Sequence, residues 1–244
     1  MGHSMQRQTI FKSLAKHYDL LYSWKDYNKE VETLRELIRT YKTSPGTDLL
    51  EVACGTGKHA ELLQNEFSIV ATDLNEDMLR IARARCKRVS FVRADMVSLD
   101  LGRQFDVVLC LFSSIGYVRT RARLKKTLSN FARHLKVGGV AIIEPWWSKS
   151  SYKPGAVTMT TVGNDDVKIA RQSVSKIRGN VSIMDMHYLI GERNKAVTHH
   201  VDRHELGLFE RRDMLAFMRE AGFRAHFQEQ GLMQDRGLYV AVKA

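Results

Sequence analysis

The chain has 244 residues, 44% hydrophobic and 27% charged, with a formal net charge of +11 and a pI near 9.7. This length holds one large domain or a core domain with an insertion, and no apolar run approaches the ~20 residues of a membrane-spanning helix. The three cysteines, Cys54, Cys86 and Cys110, lack metal-ligand spacing and read as reduced thiols of a cytoplasmic protein. The positive charge permits a nucleic acid, a membrane surface or an anionic small substrate, but it is spread along the chain and densest over Arg119 to Lys126, which reads as an exposed helix face.

In chain order, Met1-Gly-His-Ser4 lacks the apolar core of a signal peptide and reads as a vector remnant. Residues 5 to about 45 are expected to be helical, with Val31, Leu34, Leu37 and Ile38 on one face. Tyr18, Tyr22, Trp24 and Tyr27 crowd this segment. They either pack it onto the body or cover a ligand and exclude water. Pro45-Gly46 breaks the helix. From 49 to 146 apolar strands alternate with helices, which indicates a parallel sheet with right-handed crossovers. The strands are Leu49 to Val52, Phe67 to Asp73, Val89 to Met96, Phe105 to Phe112 and Val140 to Trp147. Asn75 is expected to cap the helix after Asp73, and a helix over 121–136 is expected to stop at Gly138-Gly139.

Residues 155–206 then alternate polar and apolar, with turn signals at Gly163-Asn164, Arg178-Gly-Asn180 and Gly191 to Asn194. They read as an antiparallel meander inserted between the fifth strand and the next helix. His199, His200 and His204 fall in it. Adjacent histidines on a strand face opposite ways, and we find no Cys or acid at metal spacing nearby, so no metal is expected. A helix from Glu210 to Ala221, ended by Gly222, precedes two last strands, Phe223 to Glu229 and Gly237 to Lys243.

The strand ends carry the chemistry. Leu49-Leu-Glu-Val-Ala-Cys-Gly-Thr-Gly57 hands a buried strand to a helix through two glycines, which allow tight turning and close ligand approach. Asp73, ending the second strand, can accept bonds from both hydroxyls of a ribose. Glu51 can hold water or a ligand ammonium, and Asp95 suits an adenine amino group. A lone acid at a strand end is usually just solvated. Three at successive strand ends, in order, point to a site for an adenosine-containing molecule, where ligands of open α/β sheets bind. These residues together resemble the class I S-adenosylmethionine (SAM) methyltransferases, and Glu51 to Gly57 is close to their signature. The resemblance implies a Rossmann-like fold: a seven-stranded, mostly parallel sheet with an antiparallel last strand, here with the antiparallel β meander added.

Further stretches narrow the family. Phe112-Ser-Ser-Ile-Gly-Tyr-Val-Arg-Thr120, Phe131-Ala-Arg-His-Leu135, Glu144-Pro-Trp-Trp147 and Arg236-Gly-Leu-Tyr239 resemble the dTDP-aminosugar N,N-dimethyltransferases of desosamine and mycaminose biosynthesis. The resemblance runs from Tyr18 to the end of the chain. It implies SAM as cofactor and S-adenosylhomocysteine as product. The implied cofactor contacts are Tyr18, Lys25, Ala53, Gly55, Asp73, Leu74, Met78, Asp95, Met96 and Phe112, beside Glu51 and Gly57 from the loop itself. Tyr22, Tyr117, Trp146, Trp147, Arg171 and Arg236 would face the nucleotide sugar. Strand alternation leads us to expect only one of the two tryptophans to line the pocket strongly. Lys149, Lys153 and Arg171 are available for a pyrophosphate. The chain departs from the family at Gly231-Leu-Met-Gln-Asp235, which replaces a glycine-proline-serine-glycine run, and more loosely over 148–205. The implied organisation is a helical cap over 5–46, a SAM-binding domain over 47–147 and 207–244, and a substrate or oligomer region over 148–206, assembled as a homodimer.

Methyl transfer to an amine needs alignment and a neutral nitrogen more than an obligatory base. Tyr18 and Tyr117 are therefore the candidate catalytic residues, acting by position. The rival readings are another small-molecule N- or O-methyltransferase on the same scaffold, a nucleic-acid methyltransferase, and a non-catalytic SAM-binding protein. No base-stacking platform or basic stripe supports the second, and the intact Glu51, Gly55, Gly57, Asp73 and Asp95 speak against the third. The substrate expected is a small-molecule amine, with no nucleic-acid or membrane partner.

Overall fold

A computed structural model describes residues 14–244; residues 5–13 of the expected cap and the Met1-Gly-His-Ser4 remnant lie outside the described residues. The cap is not one helix. A 3₁₀ turn at Ala15–His17 runs into α1 (Tyr18–Leu21), and α2 (Tyr27–Tyr41) starts afresh. The Asp26 carboxylate accepts the Lys29 N–H and caps α2, so the chain stops and restarts there.

The strands β1 (Asp48–Val52), β2 (Ser68–Asp73), β3 (Val89–Arg93), β4 (Phe105–Cys110) and β5 (Leu135–Ile143) pair in parallel. Between them lie α3 (Lys58–Leu63), α4 (Glu76–Arg85) and α5 (Arg121–Arg133). Asn75 caps α4 as expected, accepting the Asp77 and Met78 N–H groups. The period of two along each strand divides the core. Leu49, Val107 and Leu109 pack with Val31, Leu34, Leu63 and Leu79 on one side. Leu50, Val52, Val108 and Cys110 pack with Leu124, Leu128 and Phe131 on the other.

The helix over 121–136 ends earlier than expected, at Arg133, and Gly138-Gly139 lies inside β5. Phe105 pairs with Leu135 but Val107 with Val140, so β5 bulges. Gly138 takes φ +78° there, and its carbonyl accepts the Thr43 and Ser44 N–H groups. A Cβ at Gly138 would fall 2.4 Å from the Thr43 hydroxyl. The glycines serve close backbone approach, not helix termination.

The second sheet comprises β6 (Val157–Gly163), β7 (Val167–Arg178), β8 (Val181–Glu192) and β9 (Thr198–Gly207), antiparallel in sequence order. Its turns fall at the three sites read from the sequence. α6 (Arg211–Glu220), β10 (Phe223–Gln228) and β11 (Leu238–Lys243) complete the body. The order of the first sheet is β10-β11-β5-β4-β1-β2-β3, with β11 antiparallel to both neighbours.

Asp106 ties the amino ends of the strands together. It is fully buried and accepts the N–H groups of Gly46 (3.1 Å) and Asp48 (3.0 Å) and the Lys136 ammonium (2.8 Å). Burial alone would raise its pKa; the Lys136 ammonium, the Ser44 hydroxyl and the Asp48 N–H outweigh it, and the carboxyl titrates below its usual range. Asp106→Ala is expected to cost about 2–3 kcal/mol in urea unfolding at pH 7, since it leaves those donors unmatched. Because the folded-state pKa is depressed, the difference from the parent should shrink as pH falls through and below the carboxylate range.

Candidate active site

The site begins where β1 turns into α3. Ala53 (φ +58°), Gly55 (+55°) and Gly57 (+77°) bend the chain sharply. A Cβ on Gly57 would sit 3.0 Å from that of Ala82, so this glycine lets α3 start against α4. A Cβ on Gly55 would meet nothing within 4 Å, so the loop presents an open backbone there. Asp73 accepts the Gly55 N–H (2.9 Å) and the Asn75 N–H (2.8 Å), which fixes the loop to the end of β2. Burial raises the pKa of Asp73. Glu51 is buried, and burial with the nearby Asp73 charge pushes its pKa up to about 8. Its Oε2 has no hydrogen-bond partner among the described residues. A buried carboxyl oxygen left open beside an exposed backbone turn fits a ligand carrying an ammonium and a ribose, as SAM does.

The N-terminal segment is pinned over this loop. Asp19 accepts the Thr56 hydroxyl (2.7 Å) and pairs with Arg85, which also donates to the Thr56 carbonyl. Lys25, expected among the cofactor contacts, is buried with its ammonium 2.5 Å from Glu30 and 4.1 Å above the Phe112 ring. Glu30 also meets His59 Nε2 at 2.8 Å, and His59 Nδ1 lies 3.7 Å from Glu51. The rings of Tyr18 and Tyr22 are 4.7 Å apart, and Tyr22 meets Phe112 edge-on at 5.0 Å. Trp24 stays 57% exposed and contributes only an edge contact to Tyr22.

The other wall is built from the ends of β4 and β5 and the inner face of the second sheet. Phe112 (φ +51°) and Ser113 (φ +62°) follow β4 in left-handed conformations, a strain that cores tolerate where a site requires it. Glu144 is fully buried and accepts the Phe112 N–H at 2.6 Å, and burial raises its pKa. Arg236 donates to the Ser113 hydroxyl at 2.6 Å, with its guanidinium 4.5 Å from the Trp146 ring and 5.7 Å from that of Trp147. β5 ends at Ile143, so strand alternation does not govern Trp146 and Trp147, and both flank Arg236. From β7, Arg171 donates to the Tyr22 hydroxyl at 3.3 Å. From β9, His204 Nδ1 lies 2.7 Å from the Tyr117 hydroxyl, which stands on a 3₁₀ turn after β4. Burial first, then the neighbouring tyrosines and the Asp73 carboxylate, with Asp202 as well for Tyr117, hold the Tyr18 and Tyr117 hydroxyls protonated far above the usual range.

Tyr18, Tyr22, Tyr117, Trp146, Trp147, Arg171 and Arg236 are therefore brought together with Glu51, Ala53, Gly55 and Phe112. Leu74 is 60% exposed just beyond Asp73, and Met78 is buried in the first turn of α4. Asp95 and Met96 fall after β3, which ends at Arg93 and not at Met96. Asp95 accepts the Val97 N–H at 2.9 Å and pairs with Arg123 at 3.3 Å. Lys149 is exposed and donates to the Asn180 side chain at 2.9 Å. The sequence reading missed Asp19, Glu30 and His59, which position the segment and the loop. Asp202, two residues before His204 and therefore on the same strand face, was likewise not singled out from the sequence.

The profile of a methyltransferase domain matches residues 49–139. A dTDP-3-amino-3,4,6-trideoxy-alpha-D-glucopyranose N,N-dimethyltransferase of Streptomyces venezuelae is 38% identical over 233 residues, covering 94% of this chain and 98% of the relative. The crystal structure of Streptomyces venezuelae DesVI superposes with a TM-score of 0.89 at 37% identity, covering 95% of this chain and 99% of that one. SAM-bound CalS10, an amino pentose methyltransferase of Micromonospora echinaspora, superposes with a TM-score of 0.83 at 28% identity over the whole of both chains. With this identity over nearly the full length of both chains, and with the fold shared to the same extent, this protein belongs to the dTDP-aminosugar N,N-dimethyltransferases, a family of SAM-dependent enzymes.

Proposed function

We propose that this enzyme methylates the amine of a dTDP-linked aminosugar twice, at a site between the N-terminal segment, the glycine loop and the inner face of residues 148–206. The observation that carries this reading is the pairing of an adenosine-type pocket (Glu51, Gly55, Asp73) with a separate cationic, aromatic wall (Arg236, Trp146, Trp147, Arg171) across the Tyr18–Tyr22–Tyr117 cluster. When bound, SAM supplies a methyl group on a sulfonium that is already strongly electrophilic. The chain's own task is to align and to desolvate. Alignment of this kind is worth up to roughly 7–11 kcal/mol in favourable cases. Glu51 is proposed to take the cofactor ammonium, and Gly55 and Ala53 to let it approach. Asp73, Leu74, Met78, Asp95 and Met96 are proposed to hold the nucleoside, with Lys25 and Phe112 bracing the wall and Gly57 setting the turn. Arg236 and Arg171 are proposed to hold the phosphates or sugar, since guanidinium groups suit such acceptors. Tyr18 and Tyr117, protonated throughout the working pH range, position the amine and cannot act as free phenolate bases.

We further propose a homodimer through the outer face of the second sheet. Val157, Met159, Val174, Leu189 and Val201 share that face by register and are all exposed. The three cysteines are free and buried, which fits a reducing cytoplasm. Leu189→Asp with Met159→Asp should convert a dimeric sedimentation profile to a monomeric one; a monomeric parent would remove the dimer.

Calorimetric titration with S-adenosylhomocysteine, followed by dTDP or a dTDP-aminosugar, should give tight cofactor binding and saturable nucleotide binding. Glu51 is mostly protonated at pH 7, so an ammonium bound there should release a proton. The heat should then depend on the buffer's ionisation enthalpy, and affinity should rise with pH up to about 8. Indifference to dTDP would remove the nucleotide-sugar substrate while keeping the methyltransferase. Tyr18→Phe and Tyr117→Phe should each lower kcat moderately and leave activity detectable. Complete loss in both would mean that an obligatory base has been removed.

A further inference from the structure

We propose that Tyr117, His204 and Asp202 form a proton relay that takes the proton from the bound ammonium before methyl transfer. This inference rests on the N-methyltransferase reading and adds to it a chain of groups from the second sheet.

The relay is set by two features of the sequence. Asp202 and His204 are two residues apart on β9 and share its inward face, while Val201 and Arg203 between and beside them face outward. Gly116 then allows the 3₁₀ turn to approach β9. A Cβ there would fall 2.9 Å from the Leu206 Cδ2 and 3.2 Å from the Trp146 Cβ. That approach brings the Tyr117 hydroxyl to 2.7 Å from His204 Nδ1. On the far side of the imidazole, Nε2 lies 3.1 Å from Asp202 Oδ2. Asp202 is 1% exposed and His204 5%. A carboxylate beside Nε2 favours the tautomer with hydrogen on Nε2, which leaves Nδ1 to accept from Tyr117. The groups around the relay are Tyr188 from β8, Arg171 from β7, Tyr22 and Tyr18 from the N-terminal segment, and Asp73 from β2.

The step balances without a co-reactant. A substrate amine is an ammonium at neutral pH, and its lone pair is blocked. One N–H bond of the ammonium breaks as its proton bonds to the Tyr117 oxygen. The O–H bond of Tyr117 breaks as that proton bonds to His204 Nδ1. The positive charge moves from the amine to the imidazolium, beside the Asp202 carboxylate. Tyr117 never becomes a phenolate, which its burial forbids. It touches the substrate; His204 and Asp202 act through it as positioning residues. Once the His204 imidazolium has returned its proton to the medium, as the spent cofactor and product exchange, the same transfer frees the secondary amine left protonated after a first methylation.

Two measurements test this. The first needs no substrate: ¹⁵N-histidine spectra of the full-length protein loaded with S-adenosylhomocysteine. We expect a neutral His204 with hydrogen on Nε2 and a hydrogen-bonded Nδ1 whose resonance moves in Tyr117→Phe. A hydrogen on Nδ1 overturns the relay, because Tyr117 would then be the acceptor. The second is the pH dependence of kcat. The parent should be nearly flat from pH 7 to 9. His204→Gln should fall roughly tenfold or more at pH 7, climb toward the parent as the amine loses its proton to the medium, and change KM less than kcat. Asp202→Asn should move the profile in the same direction by less. A His204→Gln profile parallel to that of the parent overturns the relay. Failure of the parent to turn over any nucleotide aminosugar would instead sink the substrate reading, and the tautomer would still decide the relay.

Discussion

The structure depends on one carboxylate, Asp73, accepting the N–H of Gly55 across the ends of two adjacent parallel strands. Neither partner is close in sequence. The bond exists because β1 and β2 pair in register, with Val52 opposite Thr72, and because Gly55 can take a positive φ with open space beside it. It fixes the turn that faces the ligand and leaves a second buried carboxyl, Glu51, without a full set of partners. A protein interior does not keep such a group open cheaply. Its place beside a glycine turn is the physical argument that something charged completes it.

Around that bond the chain assembles a site from three separate parts. The N-terminal segment is held by Asp19 on Thr56 and Arg85, and by Lys25 in a buried ion pair with Glu30. The ends of β4 and β5 supply Phe112, Ser113 and Glu144 under Arg236. The second sheet supplies Arg171, Asp202 and His204 from its inward face. The tyrosines sit where the three parts meet. Their burial keeps them protonated, so any proton they help to move must leave through a neighbour. That constraint makes His204 more than packing.

The distribution of charge has the same logic. The chain carries a net +11, yet many surface cations are matched locally, as Arg203 is by Asp185 and Arg193 by Asp166. Such exposed pairs add little stability. The cations that face the site, Arg171 and Arg236, lie instead against aromatic rings and hydroxyls. A basic surface and a basic site are thus separate facts, and only the second bears on the choice of an anionic substrate.

The sequence by itself determined the order of elements, because strand and helix periods are local and glycine, proline and asparagine mark their ends. The antiparallel last strand was implied only by the family resemblance, whereas the cap at Asn75 and the turns of the meander were legible in this way. So was the strand-end set Glu51, Gly55 and Asp73, since βα units place strand ends on one edge. The sequence misjudged Gly138-Gly139, whose role is set by Thr43 and Ser44 far away in the chain. Only the tertiary structure decided that Asp19 pins the N-terminal segment to Thr56, that Arg236 lies against two tryptophans, and that Asp202 and His204 meet Tyr117. Each of these depends on the separation between elements that the sequence orders but does not space, and a proton or a hydrogen bond is sensitive to that distance at the level of tenths of an ångström.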